Sequence, residues 1–215
     1  SPDPDSKFWN WSEKMGVSTS RFPSKEKINI DRSHKAMSVN LDACINCNLC
    51  VRACREVQVN DVIGMAYRGS TAKVIFDLDD PMGESTCVAC GECVQACPTG
   101  ALIETSLVNE QGTRVNYADR VVDSLCPFCG VGCQTKVHVK DDKILHVDGK
   151  DGPANENRLC VKGRFGFDYI SHEGRLTKPL IRKAGVPKDA NFQLKDSEIS
   201  DYFEETSWEN ALDIA

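Results

Sequence analysis

Cysteine placement constrains this chain more than any other feature of its sequence. Its 12 cysteines form three groups of four, in which only Cys160 stands apart from its group. A secreted disulfide-bonded domain is usually short and scatters its cysteines, whereas four thiolates make one metal site, so the pattern predicts three metal centres. Ligand thiolates must stay reduced, which points to the cytoplasm. In chain order the groups are Cys44, Cys47, Cys50 and Cys54; Cys87, Cys90, Cys93 and Cys97; and Cys126, Cys129, Cys133 and Cys160.

The first two groups form an internal repeat. The segments CINCNLCVRAC and CVACGECVQAC, which begin at Cys44 and Cys87, match at six of eleven positions with an offset of 43 residues. Because Val51 also matches Val94, we expect both segments to lead into the same short helix, packed in the same way. Duplication of one segment is the simplest origin of this pattern.

Each repeat has the spacing C-x2-C-x2-C-x3-C, which is typical of bacterial two-cluster ferredoxins. In that arrangement the first three cysteines bind one [4Fe–4S] cluster and the fourth binds the other. The spacing therefore predicts crossed ligation, which would tie the repeats together and make each depend on iron for folding. Site 1 is then Cys44, Cys47, Cys50 and Cys97, and site 2 is Cys87, Cys90, Cys93 and Cys54.

Zinc is the alternative occupant, since four-cysteine zinc sites also use C-x2-C pairs. Zinc ligands normally come as two separated pairs, so runs of three closely spaced cysteines favour iron and sulfide at sites 1 and 2. The third group has the less stereotyped spacing C-x2-C-x3-C-x26-C, which leaves zinc open. We call it site 3, and its ligands are Cys126, Cys129, Cys133 and Cys160.

The chain is acidic, with 26 Lys and Arg against 32 Asp and Glu and a formal net charge of -6. This balance disfavours nucleic acid or an anionic membrane as a partner, and no apolar run approaches the roughly 18 residues of a membrane helix. Three dianionic clusters would add about six more negative charges. Neighbouring cations would raise the cluster potentials, and the candidates are Arg52 and Arg55 near site 1 and Lys162 and Arg164 near site 3.

Alternation of apolar residues predicts two β-hairpins. The first should place Val74, Phe76 and Leu78 on one face, and the second should turn at Asp141 and Asp142. The predicted strand pairs are 63–67 with 72–78, and 135–139 with 143–147.

A helix is predicted near the start of the chain. Ser6 would cap it, and it would run to Met15, before Gly16. Phe8, Trp11 and Met15 recur at helical spacing, which favours an ordinary helix that faces the core.

A second helix is predicted at the other end. Thr206 and Glu209 form a capping box that would open a helix through to Ala215, after a polar segment, 178–201, that is typical of a linker. Because a helix of roughly nine residues without a C-terminal cap is marginal alone, we expect the chain to be part of a longer one.

Site 3 lies in distinctive surroundings. Its first three cysteines stand in CPFCGVGC, which begins at Cys126, and its fourth stands in RLCVKGR, which ends at Arg164. These motifs resemble the N-terminal iron–sulfur domain of molybdopterin-dependent oxidoreductases. Joined to the upstream repeat, the arrangement is similar to the catalytic subunit of NAD-dependent, molybdenum- or tungsten-containing formate dehydrogenases. The resemblance covers most of residues 37–215.

The resemblance implies an α+β fold, in which a two-cluster ferredoxin-like module precedes the N-terminal [4Fe–4S] domain of a molybdopterin oxidoreductase. The expected divisions are an N-terminal helix and linker at 1–36, the ferredoxin-like module at 37–118, the second domain at 119–178, and a linker with the start of the catalytic domain at 179–215.

The resemblance also implies oxidation of formate to CO2 at molybdenum or tungsten held by two molybdopterin guanine dinucleotides. Electrons would pass singly through three [4Fe–4S] clusters to a flavin- and iron–sulfur-containing subunit that reduces NAD. In that family the site 3 cluster is nearest the pterin, and the lysine at Lys162 lies between them in the electron path. The family's bond-breaking residues lie beyond residue 215, so none is assigned here. No nucleic-acid or membrane partner is expected.

Two other readings of the sequence stay open. The same wiring occurs in complex-I-like or hydrogenase-linked subunits that keep the pterin-type domain without pterin, and in other molybdopterin oxidoreductases such as nitrate reductase. A free ferredoxin-like carrier, or a binding module stabilised by zinc, would need no attached enzyme.

Overall fold

The computed structural model describes residues 3–24, 26–188 and 199–215. The chain forms two compact units, Ser1–Phe167 and Asp168–Ala215. Short helices and small antiparallel sheets make up both units, which confirms the predicted α+β class. None of the helices in the described ranges is long and apolar enough to cross a membrane. The three domain boundaries predicted from the sequence remain predictions.

The regular elements are short, and the longest strands have seven residues. The helices are α1 (Lys7–Lys14), α2 (Leu49–Arg52), α3 (Glu92–Ala96), α4 (Val161–Phe165), α5 (Ile199–Tyr202) and α6 (Trp208–Ile214). The strands are β1 (Met37–Val39), β2 (Ile63–Ala66), β3 (Lys73–Phe76), β4 (Leu102–Glu104), β5 (Arg120–Leu125), β6 (Gln134–Lys140), β7 (Lys143–Gly149), β8 (Leu180–Arg182) and β9 (Phe203–Glu205). A π-helical turn, Ala53–Val57, continues α2, and single 3-10 turns occur at Leu41–Ala43, Gly69–Thr71, Met82–Glu84, Thr105–Leu107 and Asp168–Ser171.

The main core of the first unit joins both cysteine repeats. Strands β1 and β4 pair antiparallel, with Met37 opposite Glu104, and so bring the segment before the first repeat beside the segment after the second. Helices α2 and α3 pack near this pair and contribute residues to the same core, which combines apolar side chains with cysteines from both repeats. The buried members are Met37, Val39, Cys50, Val51, Cys54, Val62, Ile63, Val74, Phe76, Met82, Cys93 and Leu102.

The first predicted hairpin is present as β2 and β3, with Ile63 opposite Phe76. Val74 and Phe76 are buried as predicted, but Leu78 is 92% exposed, so its predicted place on the same face is wrong. Strand β3 ends at Phe76 because Asp77 turns the chain with a left-handed φ of 47°. The alternation therefore stops two residues before the sequence pattern does.

The second predicted hairpin is present as β6 and β7 and extends beyond the predicted strands. Asp141 and Asp142 both have left-handed φ, 48° and 58°, as a two-residue turn between twisted strands requires. Strand β5 was not predicted from the sequence. It pairs with β6 along six residues and is exposed throughout. A second small core, formed by Val147, Leu159 and Phe167, lies beside this sheet.

Helix α1 begins as predicted and packs differently. The Ser6 hydroxyl accepts a hydrogen bond from the Trp9 amide at 3.2 Å, which confirms the predicted N-cap. The core-facing prediction is wrong, because Phe8, Trp11 and Met15 are 45%, 64% and 72% exposed. Only the first turn is anchored, through Asp3 and Ser6, which are buried, and so the apolar residues further along the helix face outward.

In the second unit, β8 and β9 pair antiparallel and α6 follows. The predicted cap of α6 is wrong by one residue, because Ser207 is the N-cap and accepts from the Asn210 amide at 3.2 Å. The Thr206 amide is already bonded to Pro179 beside the strand pair. Part of the predicted linker is β8, and residues 189–198 of that linker lie outside the described residues.

Candidate metal centres

The two cysteine repeats bend their backbones in the same way. Asn46 and Asn48 have left-handed φ of 55° and 62°, and at the equivalent positions Ala89 and Gly91 have 55° and 73°. Left-handed backbone costs about 1–2 kcal/mol for a residue with a side chain. The matching bends let three cysteines, each separated by two residues, border a common cavity in each repeat.

The structure brings the cysteines of the two repeats together in the crossed pattern that was predicted. One cavity is bordered by Cys44, Cys47, Cys50 and Cys97. A second cavity is bordered by Cys54, Cys87, Cys90 and Cys93. In each cavity the fourth thiol therefore comes from the opposite repeat.

The spacing of the sulfur atoms suits a group larger than one ion. A tetrahedral zinc ion with bonds of about 2.3 Å places its ligand sulfurs roughly 3.8 Å apart. All 12 cysteines lie in the described ranges and none is joined in a disulfide, and no three of their sulfurs lie within 4.8 Å of one another. Four soft thiolates around a wider space fit an iron–sulfur cluster better than a single zinc ion.

Backbone amides point at the sulfurs of sites 1 and 2. The Asn46 and Ala89 amides donate to Cys44 Sγ and Cys87 Sγ, both at 3.4 Å. The fourth thiol of each site also accepts a hydrogen bond from a backbone amide. The Val62 amide donates to Cys54 Sγ at 3.4 Å, and the Leu102 amide donates to Cys97 Sγ at 3.5 Å. Amide donors of this kind stabilise the negative charge of ligand thiolates.

Burial determines the protonation of these thiols. Burial raises the pKa of Cys50 to about 12, and nearby Cys97 and Cys44 act in the same direction. Burial also raises the pKa of Cys93, and Cys90 and Cys87 act in the same direction. Without a cation Cys50 and Cys93 keep their protons at neutral pH, so a metal that binds must displace those protons.

Site 3 lies between the β5–β6 connection and the start of α4. Three of its cysteines lie in residues 126–133, a loop closed by a 2.9 Å hydrogen bond from the Cys126 amide to the Cys133 carbonyl. The fourth, Cys160, is the N-cap residue of α4. Burial raises the pKa of Cys133, and the other three thiols of the site, Cys126, Cys129 and Cys160, act in the same direction.

Asn155, which the sequence did not single out, shapes the loop that returns to site 3. Its side chain is buried and accepts from the Gln134 amide at 2.9 Å. Its amide group donates to the carbonyls of Gln134, Lys150 and Arg158 at 3.0 to 3.2 Å. One polar residue thus fixes both ends of the loop before Cys160, which lies in an otherwise irregular segment.

Comparison with known proteins identifies both parts of this arrangement. Residues 43–101 match the family described as 4Fe-4S dicluster domain, and residues 119–172 match the molybdopterin oxidoreductase Fe4S4 domain. The chain contains both of these iron–sulfur domains. Sites 1 and 2 belong to the dicluster domain, and site 3 belongs to the Fe4S4 domain.

Full-length relatives are much longer than this chain. A protein of Bacillus subtilis (strain 168), named as a probable oxidoreductase, is 32% identical over 94% of this chain and 23% of its own length. A protein of Staphylococcus haemolyticus (strain JCSC1435), provisionally named a formate dehydrogenase, is 32% identical over 80% of this chain and 20% of its own length. The chain thus spans about a fifth of the curated relatives it matches.

A solved structure, an NAD+-reducing [NiFe]-hydrogenase in the H2-reduced state, aligns with 51% of this chain and 48% of its own. The sequence identity is 24% and the TM-score is 0.44. A likeness at that level supports no conclusion about this chain.

Two of the four cations predicted near the sites are paired at the surface. Arg52 forms an ion pair with Glu56 at 3.0 Å, and Arg55 forms one with Asp61 at 2.6 Å. These arginines are more than half exposed, so solvent screens their charges. Neither is the buried cation that a strong effect on a cluster would require.

Arg164, which was predicted near site 3, also reaches the neighbourhood of site 2. Its side chain leaves α4 in the Fe4S4 domain and reaches the second repeat of the dicluster domain, where it is completely buried. Sequence proximity to Cys160 could not show this, because the direction of the side chain depends on how the two domains pack. Its acceptors are Cys90 O, Val147 O, Asp148 Oδ1, Glu92 Oε2 and Gln95 Oε1.

A cluster of His138, His146 and Asp148 lies on the β6–β7 hairpin, and its three ligand atoms are within 4.8 Å of one another. The imidazole rings stack at 3.9 Å with planes 16° apart. Lone pairs of an imidazole lie in the ring plane, so two nearly parallel rings cannot both point at one ion between them. Arg164 also holds the other oxygen of Asp148 at 3.3 Å, so we assign this cluster a structural role.

Proposed function

We propose that this chain is the electron-relay part of a cytoplasmic formate dehydrogenase of the molybdopterin type. Sites 1, 2 and 3 would each hold a [4Fe–4S] cluster. Electrons from formate oxidation, at molybdenum or tungsten carried by two molybdopterin guanine dinucleotides, would pass through the clusters to a flavin- and iron–sulfur-containing subunit that reduces NAD. The single observation that carries the proposal is the crossed arrangement of cysteines around two cavities, each bordered by three thiols of one repeat and one thiol of the other.

The residues of the chain have distinct roles in such a relay. A bound [4Fe–4S] cluster supplies one-electron chemistry. The thiols of each site would hold the cluster, and the Asn46 and Ala89 amides stabilise the negative charge of ligand sulfurs. Cys50 and Cys93 are buried, and nearby charges act more strongly on a buried ligand than on an exposed one.

Lys162 is the residue we propose for the end of the relay that faces the pterin. It lies in the first turn of α4, two residues after Cys160, and it is exposed. An ammonium group at this position can donate to a pterin and favour arrival of an electron on the anionic site 3 cluster. The names of the staphylococcal relatives support formate as the substrate.

The test uses the full-length enzyme with its clusters and pterin. Formate is mixed rapidly with the oxidised protein, and the loss of cluster absorbance near roughly 400 nm is followed. We expect Lys162→Ala to slow this reduction at least tenfold while iron content stays unchanged. Lys143→Ala, an exposed lysine at the far turn of the same domain, is the matched control and should reduce at the rate of the unaltered protein.

Three outcomes separate the parts of the proposal. Unchanged reduction in Lys162→Ala would contradict the role of that lysine. Clusters that are reduced by dithionite and not by formate would contradict formate as the electron source, and would favour a hydrogenase-linked or nitrate reductase subunit. A protein with stoichiometric zinc and no iron would overturn the relay itself.

A further inference from the structure

Arg164 makes an unusual set of contacts for a charged residue. Its side chain has no exposed surface, and its guanidinium donates to acceptors on two separate segments of the first unit, 90–95 and 147–148. The bond to the Cys90 carbonyl, at 2.8 Å from Nε, is the shortest. A buried guanidinium with all its directions used is rigid, because the planar fork cannot rotate without losing several bonds.

The same residue is tied to site 3 through its backbone. The Arg164 amide donates to the Cys160 carbonyl at 3.1 Å in the first turn of α4. One residue therefore contacts the main chain of a site 3 cysteine and the main chain of a site 2 cysteine. Within the described residues, this side chain is the buried cation that joins the Fe4S4 domain to the dicluster domain.

We propose that Arg164 is a positioning residue that raises the reduction potential of the site 2 cluster and holds site 3 against it, so that electrons leaving site 3 enter site 2. This inference rests on the proposed function, because it needs clusters at both sites. A cation beside a cluster stabilises the reduced, more negative state. Burial strengthens that effect, since solvent cannot screen the charge.

The second repeat is built to let the guanidinium approach. Gly91 follows Cys90 with a left-handed φ of 73°, and a Cβ at this position would collide with Cδ of Arg164. The first repeat has Asn48 at the equivalent position. The close approach of the Arg164 side chain to the backbone is therefore specific to the second repeat. Glu92 and Asp148 form ion pairs with the buried guanidinium, so its charge is not left unpaired.

The experiment is a redox titration of the full-length holoprotein, followed by electron paramagnetic resonance. The site 2 signal is assigned as the one that Cys90→Ser removes or alters. We expect Arg164→Gln to disfavour the reduced site 2 cluster at least tenfold, which corresponds to about 59 mV for a one-electron couple. Arg164→Lys keeps the charge, so it should change the reduction equilibrium of the site 2 cluster by less than threefold.

Arg55→Gln is the matched control, because Arg55 adjoins Cys54 of the same site and yet is exposed and paired with Asp61. This variant should also change the reduction equilibrium of the site 2 cluster by less than threefold, since solvent screens the charge of Arg55. A merely structural arginine would leave the potential unmoved in any variant that keeps its iron.

The outcomes decide between these possibilities. An Arg164→Gln protein with full iron content and an unchanged site 2 potential overturns the inference. If Arg164→Gln loses its iron, the Arg164→Lys protein decides. A change of less than threefold in the reduction equilibrium of its site 2 cluster supports the inference. A tenfold shift towards the oxidised cluster, with full iron content, overturns it. Lack of any iron–sulfur signal in the unaltered protein would contradict the proposed function instead.

Discussion

Cys97 and Cys44 border the same cavity although they belong to different repeats. Cys97 is the residue that ends α3, the helix that also carries Cys93, and yet Cys93 faces the other cavity. Each cavity therefore takes three thiols from one repeat and one from the other. Neither half of the dicluster domain can complete a four-thiol site alone.

Crossed ligation makes paired cysteine variants informative. Cys97→Ser together with Cys47→Ser should remove one cluster, because both residues border site 1, and leave about eight irons per chain. Cys97→Ser together with Cys90→Ser should remove two clusters and leave about four. Iron analysis of the two purified double variants is the measurement. The reverse order of iron contents would mean that each repeat ligates its own cluster.

Gly91 should tolerate no side chain. Its left-handed φ and its contact with Arg164 both oppose a Cβ, whereas Gly69 has a similar φ of 63° and nothing within 4 Å. We expect Gly69→Ala to lower stability by about 1 kcal/mol and Gly91→Ala by about 3 kcal/mol. Thermal unfolding under anaerobic conditions, with iron analysis, compares them. Equal losses in the two variants would show that packing against Arg164 contributes nothing.

Asn155 should be required for site 3. Removing its side chain leaves the Gln134 amide and three carbonyls without their partner, at a cost of about 3 kcal/mol. Asn155→Ala should therefore lower the unfolding temperature and reduce iron to about eight per chain. Asn116→Ala, which removes exposed hydrogen bonds from the same unit, is the control and should cost about 1 kcal/mol. Full iron content in Asn155→Ala would contradict this role.

Stability should fall as pH rises through the titration of Glu104. Burial raises the pKa of this carboxyl to about 8, and Asp148 acts in the same direction. A raised folded-state pKa means that the native protein holds the proton more tightly, so the stabilisation is complete below the usual pKa of 4.5 and is lost as pH rises towards 8. Between pH 5 and 9 the loss is on the order of 4 kcal/mol.

Glu104→Gln removes that titration and keeps the shape of the side chain. The unfolding temperature of the unaltered protein should therefore fall more steeply from pH 5 to pH 9 than that of the variant. Parallel curves for the two proteins would contradict a buried, protonated Glu104.

Local patterns in the sequence predicted the two hairpins and the grouping of cysteines around the two cavities. The β6–β7 turn depends on two adjacent residues, Asp141 and Asp142. The grouping of cysteines at site 1 depends on the intervals between cysteines within each repeat. Both features can therefore be predicted from residues that are close in the sequence. Strands β1 and β4 were not predicted, because three-residue strands leave no period to detect and their pairing is set by the core around Met37.

The sequence was least informative where packing between distant segments determines the contacts. Trp11 has the spacing of a buried residue, and nothing local shows that α1 is anchored only at its first turn. Arg164 follows Cys160 closely, and its contact with Cys90 exists only because the two domains pack together. Asn155 was invisible for the same reason, since its four hydrogen bonds join segments that the sequence separates.

An electron relay requires that the 12 thiols hold iron and sulfide. Elemental and acid-labile sulfide analysis of anaerobically purified protein measures this directly. We expect about twelve iron and about twelve sulfide per chain, with zinc near zero. Zinc at one to three ions per chain without sulfide, or cysteines recovered as disulfides, would contradict it.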